Sequence, residues 1–158
     1  MKQTIIAVIC FLCVSSLYIQ AQKINHPSLL YTPQRIQQVK QRMQHEPKLQ
    51  EAWGDIKRTA DEALQKKDFN RLDYLSLAYL MTDNKEYADV IKEILLKTVE
   101  AESWGDVEMM ARIPAWRSQL GMAHKSFLSA VGYDAAYNVM SSSERKKIAE
   151  GLKRLAVE

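Results

Sequence analysis

The spacing of apolar residues along most of the chain is the feature that most limits its possible folds. Apolar positions recur three and four residues apart, which places them along one side of a helix. Only 5 glycines and 4 prolines interrupt the 158 residues. No stretch alternates polar and apolar residues over the length that a strand needs. The sequence therefore predicts an all-α fold built from packed helices.

Capping residues and apolar stripes divide this pattern into six predicted helices. Thr32 followed by Pro33 is typical of a helix start, and Ser141 with Glu144 has the spacing of a capping box. The fifth helix is predicted to run from about residue 116 to residue 139. The predicted inward-facing residues are, in chain order, Ile36, Val39 and Met43; Leu49, Ala52, Trp53, Ile56, Ala60, Ala63 and Leu64; Leu72, Leu75, Ala78 and Tyr79; Tyr87, Ala88, Ile91 and Leu95; Trp116, Leu120, Ala123, Phe127, Ala130 and Val131; and Ile148, Leu152 and Leu155.

Two of the predicted helical hairpins can be laid over each other with one constant offset in the numbering. The matched pairs are Ala78 with Ala135, Ile91 with Ile148, and Leu95 with Leu152. This match predicts a helical-hairpin repeat, although three matched positions can also arise by chance in an amphipathic chain. A repeat of this kind packs stably only when further copies stack on it.

The segment 1–22 has the layout of a secretory signal peptide. Lys2 is followed by an apolar run from Ile5 to Ile19 and by a short polar stretch around Ala21. The run is shorter than the roughly 20 apolar residues of a membrane-spanning helix, so a permanent anchor is the weaker interpretation. Both cysteines of the chain, Cys10 and Cys13, lie in this run. The mature chain is therefore expected to be periplasmic or secreted and to carry no thiol.

The charge balance and the histidines give no sign of a nucleic-acid site or a metal site. Removal of Lys2 with the signal peptide lowers the formal charge from +3 to +2, which gives no reason to expect a nucleic-acid partner. No pair of histidines or acids has the spacing of a metal site, so we expect no metal and no cofactor. His26 and His45 are predicted to be a loop residue and a helix-end residue. His124 is predicted to face inward as a packed, hydrogen-bonded side chain.

Asp134 falls on the apolar side of the fifth predicted helix. A buried carboxylate needs hydrogen-bonding partners. We expect Asp134 to cap a neighbouring helix or to pair with an arginine that fixes the hairpin.

The long connection from residue 101 to residue 114 and the start of the fifth helix supply the candidate substrate-binding residues. These are Trp104, Arg112, Trp116 and Arg117. Aromatic rings cover the apolar face of a pyranose, and a guanidinium binds a carboxylate through two hydrogen bonds. Trp116 also lies on the predicted core stripe, so packing is its alternative role. Trp104 and Arg112 lie on the connection and are the better candidates.

Several stretches resemble the heparinase II/III-like polysaccharide lyases, including the oligoalginate lyases. The stretches that carry the resemblance are His26–Pro33 (HPSLLYTP) with Ile36–Arg42; Leu77–Asp83 (LAYLMTD) with Tyr87 and Ala88; Trp116 with Leu120; and Tyr133 and Asp134 before Ser142, Glu144 and Arg145. The resemblance covers nearly all of the mature chain. Its motifs are those of helical packing, a pattern shared by other toroidal enzymes such as unsaturated glucuronyl hydrolases.

The resemblance implies that residues 23–158 are the N-terminal part of an (α/α) toroid. The rest of the toroid and a β-sandwich would follow after residue 158. Such lyases cleave uronic-acid glycans by β-elimination, with the substrate carboxylate neutralised by Asn, His or Arg and with Tyr or His moving the proton. In the family these residues lie on later helices and on the sandwich, and no catalytic residue is assigned here. The alternatives are a non-catalytic helical-repeat module that binds glycan or protein, and a toroidal glycoside hydrolase.

The predicted signal peptide has a direct test. When the chain is expressed in a bacterium with its own N-terminal segment, we expect a periplasmic product shortened near Ala21. Fractionation of the cells and N-terminal sequencing of the product would detect this. Recovery of the chain in the cytoplasm with an intact N-terminus would contradict the prediction.

Overall fold

The computed structural model describes residues 24–114 and 119–156, and within these ranges the chain is all-helical without a strand. The predicted signal peptide lies outside the described residues. The α-helices are α1 (Pro33–Met43), α2 (Pro47–Lys66), α3 (Leu72–Thr82), α4 (Lys85–Thr98), α5 (Val107–Met110), α6 (Leu120–Ala136) and α7 (Ser142–Ala156), with 3-10 turns at Phe69–Arg71 and Tyr137–Val139. None of the described helices is long and apolar enough to cross a membrane.

The two helix starts that the sequence predicts from the capping residues Thr32 and Ser141 are present. The hydroxyl oxygen of Thr32 accepts a hydrogen bond from the N–H of Arg35 at the start of α1. Ser141 and Glu144 form the predicted capping box, because each side chain accepts a hydrogen bond from the backbone N–H of the other. These local bonds satisfy backbone donors that have no partner inside a helix.

Helix α3 lies at the centre of the molecule and contacts α1, α2, α4 and α6. Its residues are apolar on nearly all sides, as expected for a helix that is surrounded by others. Leu72, Leu75 and Ala78 are fully buried. The buried hydroxyl of Ser76 donates to the carbonyl oxygen of Leu72 at 2.6 Å, so its burial leaves no unpaired polar group.

Two hairpins, α3–α4 and α6–α7, pack side by side, with α3 against α6 and α4 against both α6 and α7. The first residues of α4 and α7, Lys85 and Ser142, are separated by the same interval as the matched apolar pairs. The capping residues of these two helices, Asn84 and Ser141, are separated by that interval as well. The offset found in the sequence thus relates the starts and caps of α4 and α7 as well as the matched apolar positions.

Glycines allow the two hairpins to approach each other closely. A Cβ atom added at Gly132 of α6 would lie 3.3 Å from side-chain atoms of both Ile91 and Leu72. A Cβ added at Gly151 of α7 would lie 2.4 Å from the Cβ of Val99. Real Cβ atoms do not approach each other this closely. A residue larger than glycine at position 151 would therefore overlap Val99.

The start and the first part of the inward face of the fifth predicted helix are wrong. Helix α6 begins at Leu120, whose side chain is 92% exposed, and Phe127 is 52% exposed. Ala123 is also exposed. Val131 is buried as predicted, and Leu128, which was not on the predicted face, is buried with it. Small residues explain the difference, because Ser129, Gly132 and Ala136 let α6 lie close to its neighbours and are buried for that reason.

Burial of the other large side chains is mixed. Ile91 is fully buried, as predicted. Trp53, Tyr79 and Leu152 are only partly buried and pack against the rim of the core. In the first two predicted stripes, Ile36, Ala60 and Ala63 are buried, whereas Val39, Met43, Leu49, Trp53, Ile56 and Leu64 are intermediate and Ala52 is exposed. Helices α1 and the first half of α2 therefore lie at the edge of the molecule.

The close approach of α7 to Val99 predicts opposite effects of one substitution at two glycines. Gly151→Ala should lower the free energy of unfolding by about 1–3 kcal/mol, because the new methyl group has no space. Gly54→Ala, at a position in α2 with no atom within 4 Å of the added Cβ, should raise it by about 0.5–1 kcal/mol through better helix propensity. Thermal and urea unfolding followed by circular dichroism measures both. Equal stabilisation by the two substitutions would contradict the close packing.

Candidate functional site

A cleft with a volume of about 550 Å³ is formed by the ends of α2 and α4, the connection after α4, and α6. We call it the basic cleft, because four of its lining residues are lysines. Its lining residues are Lys66, Lys67, Phe69, Glu93, Ile94, Lys97, Thr98, Ala101, Ser103, Trp104 and Lys125. The volume lies within the range of about 300–1,000 Å³ that is common for small-molecule sites.

The charge of the basic cleft is strongly positive, because four lysines face a single carboxylate. Lys67 donates to that carboxylate, on Glu93, with a distance of 2.7 Å between Nζ and Oε1. The ammonium groups of Lys66, Lys97 and Lys125 form no hydrogen bond or ion pair with the described part of the chain. The cleft can therefore attract and bind an anion.

Trp104 is the one predicted binding residue that the structure places in the basic cleft. Its side chain is only 6% exposed and belongs to the buried core. So little of the ring reaches the cleft that a sugar could not stack over its whole face. Together with Ile94 and the half-buried Phe69, Trp104 instead gives the cleft an apolar wall.

Of the other three predicted binding residues, the structure describes Arg112 alone. Arg112 is exposed just after α5 and does not line the cleft. Trp116 and Arg117 lie outside the described residues. The structure therefore describes two of the four candidates and brings Trp104 alone into the cleft.

The lysines of the basic cleft were missed by sequence reasoning. None of Lys66, Lys67, Lys97 and Lys125 belongs to a motif that stands out in the sequence. The four residues come from α2, the residue after it, α4 and α6, and no sequence spacing joins these elements. The one available signal was the pair Lys66-Lys67 next to an aromatic residue, Phe69.

A second cluster surrounds Asp134, which is 4% exposed on α6. Its carboxylate accepts hydrogen bonds from the backbone N–H groups of Ser28 and Leu29, each at 2.8 Å. The Nδ1 atom of His26 lies 2.6 Å from its other oxygen. We call these contacts the Asp134 clamp. The predicted burial of Asp134 is confirmed, but its partners belong to the N-terminal segment and not to a helix start or an arginine.

The electrostatics of the Asp134 clamp favour an ionised carboxylate. Burial by itself raises the pKa of Asp134, but the N–H of Leu29, the imidazole of His26 and the N–H of Ser28 hold that pKa below its usual value. An ionised carboxylate can only accept hydrogen bonds. His26 therefore donates from Nδ1.

His26 is further fixed by aromatic and amide contacts. Its ring stacks on Tyr137 with 3.8 Å between the ring centroids, and Asn138 donates to its carbonyl oxygen at 2.8 Å. Arg145 also lies over the ring of Tyr137, 4.6 Å from the centroid. These contacts hold the N-terminal segment against the end of α6 and explain why His26 is a positioned loop residue.

The remaining proton-transfer candidates have no suitable setting. His124 is exposed, so its predicted inward position is wrong: it lies on the part of α6 that projects from the core. His45 is exposed in the turn between α1 and α2. Burial, together with the charge of Asp73, raises the pKa of Tyr31 to about 12, and burial also raises the pKa values of Tyr79, Tyr87 and Tyr133. A tyrosine that acts as a base needs the opposite shift.

The basic cleft is therefore suited to binding a ligand, whereas the Asp134 clamp has a structural role. The basic cleft can hold an anion, and its one carboxylate, on Glu93, is already paired. The Asp134 clamp fixes the chain. Among the described residues no group of three or more His, Cys, Asp or Glu side chains could hold a metal ion.

Comparison of the chain with models of protein families, with curated proteins and with solved structures gives no match.

The Asp134 clamp predicts a large loss of stability when its acceptor is removed. Asp134→Asn should lower the free energy of unfolding by about 3 kcal/mol, because the neutral amide replaces the charge-assisted hydrogen bonds from Ser28, Leu29 and His26 with weaker ones and offers one acceptor atom where the carboxylate offers two. Denaturant unfolding measures this loss. The control Asp89→Asn alters a carboxylate that is 70% exposed and should change stability by less than about 0.5 kcal/mol.

The pH dependence follows from the lowered pKa of Asp134. Stability from such a carboxylate is fully present above the unfolded-state pKa of about 3.9 and is lost as the pH falls through the lower folded-state pKa. The difference between the wild type and Asp134→Asn should therefore shrink below about pH 4. A difference that grows on acidification would contradict the clamp.

Proposed function

We propose that this chain is the N-terminal helical part of an exported polysaccharide lyase that acts on uronic-acid glycans by β-elimination. In this proposal, the described helices form part of an (α/α) toroid and contribute to substrate binding. The groups that transfer protons belong to later toroid helices and a β-sandwich beyond residue 158. The export of the protein follows from its predicted signal peptide.

The Asp134 clamp is the observation that most supports this proposal. The resemblance to heparinase II/III-like lyases is carried by separate stretches, among them His26–Pro33 and Tyr133-Asp134. In the structure these two stretches, which are distant in the sequence, bind each other through the Asp134 carboxylate. Residues that support the resemblance are therefore the same residues that hold one fold together, as expected if they belong to one structural unit.

The repeat of helical hairpins supports the toroid within the proposal. The starts of α4 and α7, and the pair Ala78 and Ala135 on α3 and α6, are related by one constant interval, and the two hairpins pack side by side. Arrays of this kind bury each hairpin between its neighbours and are extended by further copies. A toroid is one way for such an array to close.

The chemistry of the described residues agrees with a binding role for this part of the protein. The three histidines are either clamped or exposed, and the perturbed tyrosines have raised pKa values. Binding without a group that moves the proton gives little rate enhancement. The elimination step would therefore depend on residues outside this part.

A second candidate function is a non-catalytic helical module that binds acidic glycans. The basic cleft favours it, because three of the cleft's lysines have no partner among the described residues. A toroidal glycoside hydrolase has less support. That chemistry needs two carboxyl groups flanking the scissile bond, and the basic cleft carries one, on Glu93.

Lyase activity tests the proposed function directly. We expect residues 23–158 to be inactive on alginate and heparan sulfate, and the product of the parent gene, extended beyond residue 158, to be active. Ultraviolet absorbance detects the unsaturated uronate ends that β-elimination forms. Activity of residues 23–158 that is lost in a His124→Ala variant would place the chemistry in this part and contradict the proposed division. Inactivity of the extended protein on all uronic-acid glycans would favour the binding module.

A further inference from the structure

We propose that the basic cleft is a binding site for an acidic oligosaccharide, in which Lys66, Lys97 and Lys125 bind the acidic groups of the ligand. We also assign to Glu93 the role of limiting its affinity by occupying Lys67. The choice of a sugar as ligand rests on the proposed function. The anionic character of the ligand rests on the cleft alone.

The convergence of the lysines is the first step of the argument. Lys66 ends α2, Lys97 lies in the last turn of α4, and Lys125 lies on α6. Three separate elements thus bring like charges to one concave surface, where the one carboxylate, on Glu93, is already paired with Lys67. Such an arrangement raises the local positive potential, because walls of low dielectric constant focus the field in a cleft. An anion that enters the cleft relieves this repulsion.

The walls of the basic cleft indicate an organic anion with polar edges. Phe69, Ile94 and Trp104 provide apolar surface, and the hydroxyl groups of Thr98 and Ser103 can donate or accept hydrogen bonds. A sugar presents apolar C–H groups and hydroxyl groups on one small ring, so it can use both kinds of wall. A bare inorganic anion has no C–H surface to place against the apolar wall.

Nucleic acid fits the basic cleft less well than an acidic sugar. Single-stranded nucleic acid binds largely by stacking its bases on exposed aromatic rings. Trp104 is 6% exposed and offers no such platform. The lysines also line one short cleft, whereas a phosphate backbone follows an extended basic track.

Glu93 adds a feature that makes the site adjustable. The ion pair between Lys67 and Glu93 joins side chains that are 53% and 56% exposed, so water competes for both partners and the pair is weak. An incoming carboxylate or sulfate can take the place of Glu93 beside Lys67. The same Glu93 carboxylate repels the ligand, so its removal should strengthen binding.

Calorimetric titration of the purified mature chain tests this site. The ligands are alginate oligosaccharides, which carry carboxylates only, heparan sulfate oligosaccharides, which also carry sulfates, and neutral oligosaccharides of matched length. The double variant Lys97→Gln, Lys125→Gln should bind the acidic ligands about tenfold more weakly. The control double variant Lys85→Gln, Lys146→Gln has the same net charge but alters no residue of the cleft, and should bind within about twofold of the wild type.

The substitution Glu93→Gln distinguishes a role of Glu93 in ligand binding from a purely structural role of the same residue. It should tighten binding of the acidic oligosaccharides about two- to fivefold, whereas most surface substitutions leave affinity unchanged. Neutral oligosaccharides should not bind to any variant. Comparison of the two acidic ligands tells whether carboxylates suffice or sulfates are needed.

Each alternative has a distinct result. Equal losses in the two double variants would show non-specific attraction by net charge and overturn the proposal. Unchanged binding in Lys97→Gln, Lys125→Gln would place the glycan elsewhere and overturn the cleft, but would leave the proposed function standing. Binding of inorganic phosphate or of an oligonucleotide in place of the sugars would overturn the assigned ligand. If the extended protein is inactive but its basic cleft still binds acidic sugars, the proposed lyase function is overturned and the proposed binding site is not.

Discussion

The close approach of the two hairpins, α3–α4 and α6–α7, is the constraint on which the rest of the structure depends. At Gly132 and Gly151 the helices lie so near their neighbours that a single methyl group would contact or overlap them. This approach brings Lys125 of α6 to the lysines at the ends of α2 and α4. It also leaves Asp134 at the surface that the N-terminal segment covers. Both the basic cleft and the Asp134 clamp thus result from one packing distance.

Local features of the chain could be predicted from the sequence, and tertiary ones could not. The capping box of Ser141 and Glu144 was predictable because its bonds join residues three apart. The face of α6 was not, because Leu128 and the exposed Phe127 are adjacent and equally apolar. The choice between them was made by the small residues around Gly132, whose value lies in their size and not in their hydrophobicity. A periodic pattern measures hydrophobicity alone.

The candidate site also combines a residue that the sequence points to with residues that only the tertiary structure brings together. Trp104 was found because an aromatic residue on a long connection stands out in a sequence. The lysines beside it do not stand out in the sequence, since each is an ordinary helix-surface residue until the fold places it next to the others. The arrangement resembles many anion sites in that its charge comes from several elements and its shape from the core. A protein that holds an acidic polymer in this way would bind weakly at one site and depend on further contacts along the polymer.

The Asp134 clamp has a consequence for the order in which the molecule assembles. His26 and Ser28 emerge early during synthesis, whereas Asp134 follows only after most of the helices have been made. The hairpins between them need contacts only over short stretches of chain, which form quickly, but closing so long a loop is slow. The N-terminal segment therefore stays undocked until α6 is in place. Until that moment, the end of the described chain that is made first stays free of the helices that are made after it.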